Sequence, residues 1–192
     1  MTGQRPTGPG LTAPRLVTDR LVLEPLSTGH ATEMVDVLAD ASLYAFTGGD
    51  PPTIEELTRR YEFQAVGHSP DGAQDWLNWV LRRTDTGAAV GYVQATVGAG
   101  GEGDGDADLA PGSPAVVADL AWVIAPTHQR NGFAAEASGA VRDWLVEAGV
   151  PHHVAFIHPD NVASTAVARS LGMRATDAVV DGETRWERTA RG

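Results

Sequence analysis

The stretch AVVADLAWVIAPTHQRNGFAAEA, residues 115–137, runs from an apolar segment that reads as a buried strand into an alanine-rich helix. Between them stand Gln129, Arg130, Asn131 and Gly132. Within the helix, Phe133, Ala137, Ala140, Val141, Trp144, Leu145 and Ala148 fall on one face, and Gly149 and Pro151 end it. The first-turn amides of a helix are unpaired and carry the positive end of its dipole, so they hold anions where side chains leave room. Gly132 and Ala134 leave that room, and Arg130 and Gln129 add charge and hydrogen bonds. Phe133 turns inward as the first core residue. Read alone, the junction is either a plain turn or a phosphate cradle.

A second junction of the same kind follows: the strand HVAFIH (153–158), then PDNVAS, then a helix closing at Leu171-Gly172. Upstream, residues 20–26 form an extended segment. A helix is expected from about Ser27 to Asp40, and another starts at Thr53, where Thr53 and Glu56 make a capping box. Residues 75–83 and 88–97 form a hairpin across TDTG. At the end, residues 173–180 and 183–189 flank Asp181-Gly182, a type I′ turn pair. Helices separated by runs of antiparallel strands argue for an α/β (α+β) domain, a mixed sheet with helices on both faces.

Residues 1–14, with three Pro and three Gly, are expected to be a disordered tail, and 15–192 a single domain. The Gly- and Asp-rich segment 98–114 is expected to be a mobile loop. Its Asp104, Asp106 and Asp108 mimic the start of a calcium loop, but Leu109 and Ala115 stand where Gly and Glu are needed.

The chain of 192 residues has no cysteine, which excludes disulfides, Cys-ligated zinc and a thioester on the enzyme. All 14 basic residues are arginine, so Schiff-base chemistry and a Walker loop are also excluded. The junction at 129–137 carries no G-x-G-x-x-G. The histidines show no metal-ligand spacing, and no metal is expected. A net charge of -11 argues against nucleic acid and anionic membranes and favours a cationic or amine partner. With no long apolar run and no secretory h-region, a soluble, cytoplasmic protein is expected.

The run Gln129-Arg130-Asn131-Gly132-Phe133-Ala134 matches Q/R-x-x-G-x-G/A and resembles the acyl-CoA pyrophosphate loop of the GNAT N-acetyltransferases. Asp119 to Pro126, Ala135-Glu136-Ala137, His158 to Ser164, Leu171-Gly172-Met173 and Thr18-Asp19-Arg20-Leu21-Val22-Leu23 resemble the branch holding the ribosomal-protein N-terminal (alanine/serine) acetyltransferases. The resemblance covers about residues 15–189. It implies a mostly antiparallel twisted sheet of about seven strands flanked by four helices, with a splayed central strand pair.

It also implies an acetyl-CoA-dependent N-acetyltransferase. By that resemblance, Val123 and Ile124 offer backbone groups to the pantetheine arm. Gln129 to Ala134 hold the pyrophosphate through backbone amides. Asn161 hydrogen-bonds the cofactor arm, or caps its helix. Ser164 lies near the thioester sulfur.

Without cysteine, the acetyl group should pass directly from CoA to a primary amine in a ternary complex. That transfer needs a base, a donor to the thioester oxygen and a proton for the leaving thiolate. Asp119, where the family often has Glu, is the candidate base, with His158 and Glu24 in reserve. The N–H of Val123 or Ile124 is the candidate oxyanion donor, and Ser164 the proton donor. Glu136 is read as a favourable charge at a helix start. The acceptor is a small-molecule amine or a peptide or protein N-terminus, and the protein a monomer or homodimer. The alternative is a catalytically silent acyl-CoA-binding or interaction module of the same fold.

Overall fold

Alternating side chains along two long strands divide the molecule into two faces. In β3 (Gln74–Arg83) and β4 (Ala89–Ala99), Leu77, Trp79 and Leu81 join Val93, Ala95 and Val97 in the larger buried cluster. Residues one step out of phase, Val80 and Tyr92, belong to the smaller cluster on the opposite face. The larger cluster is covered by α3 (Phe133–Glu147) and α4 (Val162–Ser170), through Phe133, Ala137, Val141, Leu145 and Ala168. The smaller is covered by α1 (Ala31–Val37) and α2 (Ile54–Gln64), through Ala31, Met34, Leu57 and Tyr61. The computed structural model describes residues 10–99 and 116–189.

The remaining strands are β1 (Leu16–Val17), β2 (Leu21–Pro25), β5 (Val116–Ile124), β6 (His152–Ile157), β7 (Arg174–Val180) and β8 (Glu183–Thr189). They form one eight-stranded sheet in the order β1-β2-β3-β4-β5-β6-β8-β7. All neighbours are antiparallel except β5 and β6. The parallel pair is joined only at Ala118 with His153 and Asp119 with Val154. Beyond Asp119 the two strands part, which is the splayed pair expected from the family resemblance.

The structure adds one strand to the seven expected. Leu16–Val17 folds back on Val22–Leu23 across a turn in which the Thr18 N–H donates to the Leu21 carbonyl at 2.9 Å. Residues 11–14 of the expected 1–14 tail are held against the sheet. Leu11 and Ala13 pack against the larger cluster. The Leu11 N–H donates to the Asp75 carboxylate at 2.8 Å, and the Trp79 indole donates to the Pro14 carbonyl at 2.7 Å. Buried polar groups on β3 thus hold residues that composition alone assigns to a tail. Residues 1–9 lie outside the described residues.

Gly98 and Ala99, expected to open a mobile loop, complete β4 by pairing with Val117 and Val116. Residues 100–114 lie outside the described residues. The helix expected over 27–40 is a 3₁₀ turn at Thr28–His30 followed by α1, and a further 3₁₀ turn occupies Ala41–Tyr44. The Thr53–Glu56 capping box is present, with reciprocal hydrogen bonds of 2.9 and 3.2 Å. At the last hairpin Asp181 and Gly182 have φ of 50° and 84°, as a type I′ turn requires.

One buried residue makes stability depend on pH. His153 is fully buried, and its Nε2 has no hydrogen-bond partner among the described residues. Burial, aided by the nearby Arg188 charge, pushes its pKa down to about 4. The unfolded chain therefore takes up a proton before the folded one does. Stability is full above the unfolded pKa of about 6.5 and is lost as pH falls toward about 4. The loss is about 2 kcal/mol at pH 5. In His153→Leu, melting temperature should fall less between pH 7 and pH 5 than in the unaltered protein. An equal fall would assign the acid sensitivity elsewhere.

Candidate active site

Both strand-to-helix junctions lie at the carboxyl ends of the parallel strands, so β5 leads into α3 and β6 into α4 at the same edge of the sheet. The gap between the diverging strands opens between these two junctions. Crevices of this kind, outside the carboxyl ends of parallel strands, are where ligands enter such sheets.

The pairing of β5 determines which backbone groups face the gap. The Ala125 N–H donates to the Val90 carbonyl at 2.9 Å, and Val90 continues the register that pairs Gly91 with Ile124 and Tyr92 with Val123. Hydrogen-bonded partners alternate along an antiparallel pair. The peptide groups of Val123 therefore face β4, whereas those of Trp122 and Ile124 face the gap. Gln129 Nε2 donates to the Ile124 carbonyl at 2.9 Å, leaving the Ile124 N–H as the strand-end donor. Of the two expected backbone donors, the register favours Ile124. The same hydrogen bond ties the Gln129 side chain to the protein, so it is not free to meet a diphosphate.

The loop is locked from within. Pro126–His128 form a 3₁₀ turn, and Asn131 Nδ2 donates to the His128 and Gln129 carbonyls at 3.0 and 3.1 Å. Arg130 (φ 61°) and Gly132 (φ 80°) are left-handed. Gly132 is the N-cap of α3 and no side chain caps the helix, so its first-turn amides remain open. Phe133 is buried as expected, and Ala134 follows it within the helix. Arg130 and Gly132 lie exposed at the surface.

At the second junction Asn161 caps α4, with its Oδ1 accepting from the Ser164 N–H at 3.1 Å. That occupies the oxygen and leaves the Asn161 amide nitrogen free to donate. Ser164 is half-buried, and its hydroxyl makes no hydrogen bond among the described residues.

Asp119 stands at the last paired position before the strands diverge. It pairs with Thr96 while Val123 pairs with Tyr92, so it shares a face with Thr96, Gln94, Tyr92 and Val123. It lies on an interior strand and is half-buried, not on an exposed edge. Burial pushes its pKa up to about 7, with the Glu183 charge adding to the rise and Arg185 opposing it. A carboxyl poised there is matched to proton transfer near neutral pH.

The two reserve bases are occupied. Glu24 Oε2 accepts from Arg82 Nε at 3.0 Å and lies 3.5 Å from His30 Nε2. His158 accepts from the Asp160 N–H at Nδ1 (3.2 Å), and its ring lies 5.3 Å from that of Phe46.

Three features escape a reading of the sequence. The first is a cleft between α2 and the sheet, lined by Arg60, Tyr61, Asn78, Tyr92 and Gln94. The second is Gly91, whose contact with β5 depends on a register no motif encodes. The third is the set of bonds joining Thr18 and Arg20 to Glu136, whose motifs were visible but whose contact was not. Among the described residues, no three His, Asp or Glu are grouped to hold a metal, and no helix is long and apolar enough to cross a membrane.

Residues 20–174 match the family model described as acetyltransferase (GNAT) domain. No curated protein sequence matches the chain. Among solved structures, a GnaT-family acetyltransferase from Bordetella pertussis is 26% identical, with a TM-score of 0.66 over 92% of this chain and 99% of its own. RimL, a ribosomal L7/L12 α-N-protein acetyltransferase solved with coenzyme A, is 15% identical (TM-score 0.68; 91% and 96% covered). An acetyltransferase from Salmonella typhimurium that modifies the N-terminal serine of L7/L12 is 14% identical (TM-score 0.69; 92% and 98% covered).

Proposed function

Because this chain belongs to the GNAT acetyltransferase family, we propose that it moves an acetyl group from acetyl-CoA directly to a primary amine within a ternary complex. The observation that carries this reading is the position of Asp119, a carboxyl with a pKa near 7 at the point where β5 and β6 part. The open amides at the start of α3, the Trp122 peptide groups that face the gap and the Ile124 N–H suit a long, phosphorylated acyl carrier. RimL, solved with coenzyme A, offers a precedent in the same fold. When bound, acetyl-CoA supplies an activated acetyl thioester.

The chain's own groups then divide the work. The amides of Arg130 to Ala134 and the start of α3 hold the pyrophosphate, while Ile124 N–H and Asn161 Nδ2 donate along the arm. Asp119 takes the proton from the acceptor ammonium, which must be neutral to attack. The Ile124 N–H, at the strand end facing the gap, would be the donor to the charge that grows on the thioester oxygen. Ser164 Oγ gives a proton to the departing thiolate and regains one from the attacking nitrogen, which loses its second proton as the amide forms. The cleft lined by Tyr92, Asn78, Gln94 and Arg60 lies on the Asp119 face and receives the acceptor. Its polar lining and the chain's net negative charge favour a polar amine, from a small molecule or a peptide N-terminus.

Coenzyme A at 100 times its dissociation constant should stabilise the protein by about 2.7 kcal/mol in a thermal-shift measurement. Absence of any shift at millimolar coenzyme A would remove the reading. Thiol release with a panel of amines then separates an enzyme from a silent acyl-CoA-binding module. With a working acceptor, Ser164→Ala should lower kcat by about 10²-fold while coenzyme A affinity is kept. An unchanged kcat would exclude Ser164 as proton donor.

A further inference from the structure

Thr18 and Arg20, in the turn before β2, meet Glu136 in the first turn of α3, although Arg20 and Glu136 are 116 residues apart. Glu136 Oε1 accepts from the Thr18 hydroxyl at 2.6 Å and from the Arg20 backbone N–H at 3.0 Å. Its Oε2 accepts from Arg20 Nε at 2.7 Å and lies 2.5 Å from Nη2. Burial alone would raise the Glu136 pKa, but these hydrogen bonds outweigh it and hold the carboxyl below its ordinary value. With Nε and Nη2 engaged, Arg20 Nη1 donates to the Asn131 carbonyl at 2.9 Å. The guanidinium also covers the Phe133 ring, with Cζ 4.9 Å from its centroid.

The Asn131 carbonyl and the Gly132 N–H belong to one planar trans peptide and point in opposite directions. An arginine that holds the oxygen therefore turns the N–H away from itself. We propose that Arg20, clamped by Glu136, is a positioning residue for the phosphate loop: it sets the Asn131–Gly132 peptide plane so that the Gly132 N–H stays aimed at a bound pyrophosphate. This rests on the acetyl-CoA reading above. Arg20 acts through the loop, and its own charge is largely spent on Glu136. Thr18-x-Arg20 and Glu136 are then one device, which pre-forms the cradle before the ligand arrives.

Positioning and simple charge attraction make opposite predictions for Glu136→Gln. If Arg20 worked by attracting phosphate, removing its counter-charge would tighten coenzyme A binding. If it works by holding the loop, loosening the clamp weakens binding. The test measures coenzyme A affinity by calorimetry, and turnover with acetyl-CoA and with S-acetyl-pantetheine, which lacks the pyrophosphate.

Arg20→Gln is expected to weaken coenzyme A about tenfold or more, and Glu136→Gln about threefold. The double variant should be no weaker than Arg20→Gln, because both act through one contact. Turnover of S-acetyl-pantetheine should be unchanged in all three. Should Arg20→Gln not fold, Thr18→Val, which removes one bond to Glu136, is expected to weaken coenzyme A with the same sparing of S-acetyl-pantetheine. Tighter binding in Glu136→Gln, or equal losses with both donors, would overturn the proposal. If the unaltered protein bound no coenzyme A, the acetyl-CoA reading itself would fail.

Discussion

Asp119→Asn is expected to lower kcat/KM by about two to four orders of magnitude while leaving coenzyme A affinity unchanged. The amide keeps the shape of the side chain and its place on β5, but cannot accept a proton from an ammonium. The pH profile carries the sharper signature. With the carboxyl raised to about 7, chiefly by burial, the unaltered enzyme should gain activity as pH rises through about 7, as the base ionises. In Asp119→Asn that rise should be missing from the remaining rate. Asp119→Glu, which restores a carboxylate one methylene longer, should recover much of the activity.

The same shift makes a statement about stability. The folded pKa of Asp119 lies above the ordinary value of 3.8, so ionisation costs more in the folded protein than in the unfolded chain. The contribution of Asp119 is therefore full below about pH 3.8 and is lost as pH rises toward about 7. Asp119→Asn, which never ionises, should melt above the unaltered protein at pH 8, with the difference shrinking as pH falls. Lower activity with a higher melting temperature is the pattern of a functional group held against its own solvation. Unchanged activity would reject Asp119 as base, and an unchanged melting difference across pH would reject its raised pKa.

Much of this site was legible because its parts are local. A Gly between an arginine-bearing turn and an apolar helix announces an open helix start within a few residues. The Thr53–Glu56 box and the Asp181-Gly182 turn are equally local, and both are found as read. The Asn161 cap is set by its own position before α4. What escaped depends on contacts across the chain. Residues 11–14 look like a tail until Asp75 and Trp79 supply partners from β3. Glu136 reads as a favourable charge at a helix start until Thr18 and Arg20 arrive from the turn before β2. Whether Val123 or Ile124 faces the gap is a question of parity, and parity is set by the register with β4. The raised pKa of Asp119 arises from burial and from Glu183 on β8, neither of which a motif on β5 can report.

Gly91→Ala is expected to damage both the fold and the cradle. Between Leu81 and Arg82 the β3–β4 register slips: Leu81 opposes Gly91 and Arg82 opposes Ala89, leaving Val90 as the extra residue of a bulge. On its other side, Gly91 opposes Ile124 at the end of β5. A Cβ at Gly91 would lie 2.0 Å from the Val123 carbonyl oxygen and 3.0 Å from the Val123 carbonyl carbon and Ile124 Cα. These are all backbone atoms in a paired strand, so no side chain can swing aside. Either β5 moves away from β4 or the bulge is rebuilt, and both displace the Ile124 N–H and the Gln129 anchor on the Ile124 carbonyl. Overpacking of this kind costs about 1–3 kcal/mol or more, a fall in melting temperature of about 2–12 °C for a chain of this size. Coenzyme A affinity should fall by at least about tenfold in the fraction that folds, because the strand end proposed to donate to the arm has shifted. Gly139→Ala is the matched control. Its new Cβ meets nothing within 4 Å on the middle of α3, where alanine favours the helix by about 1 kcal/mol. That variant should melt at or above the unaltered temperature and bind coenzyme A normally. Equal behaviour of the two alanine variants would show that β4 and β5 can separate at no cost, and the close approach at Gly91 would then have no part in holding the strand end.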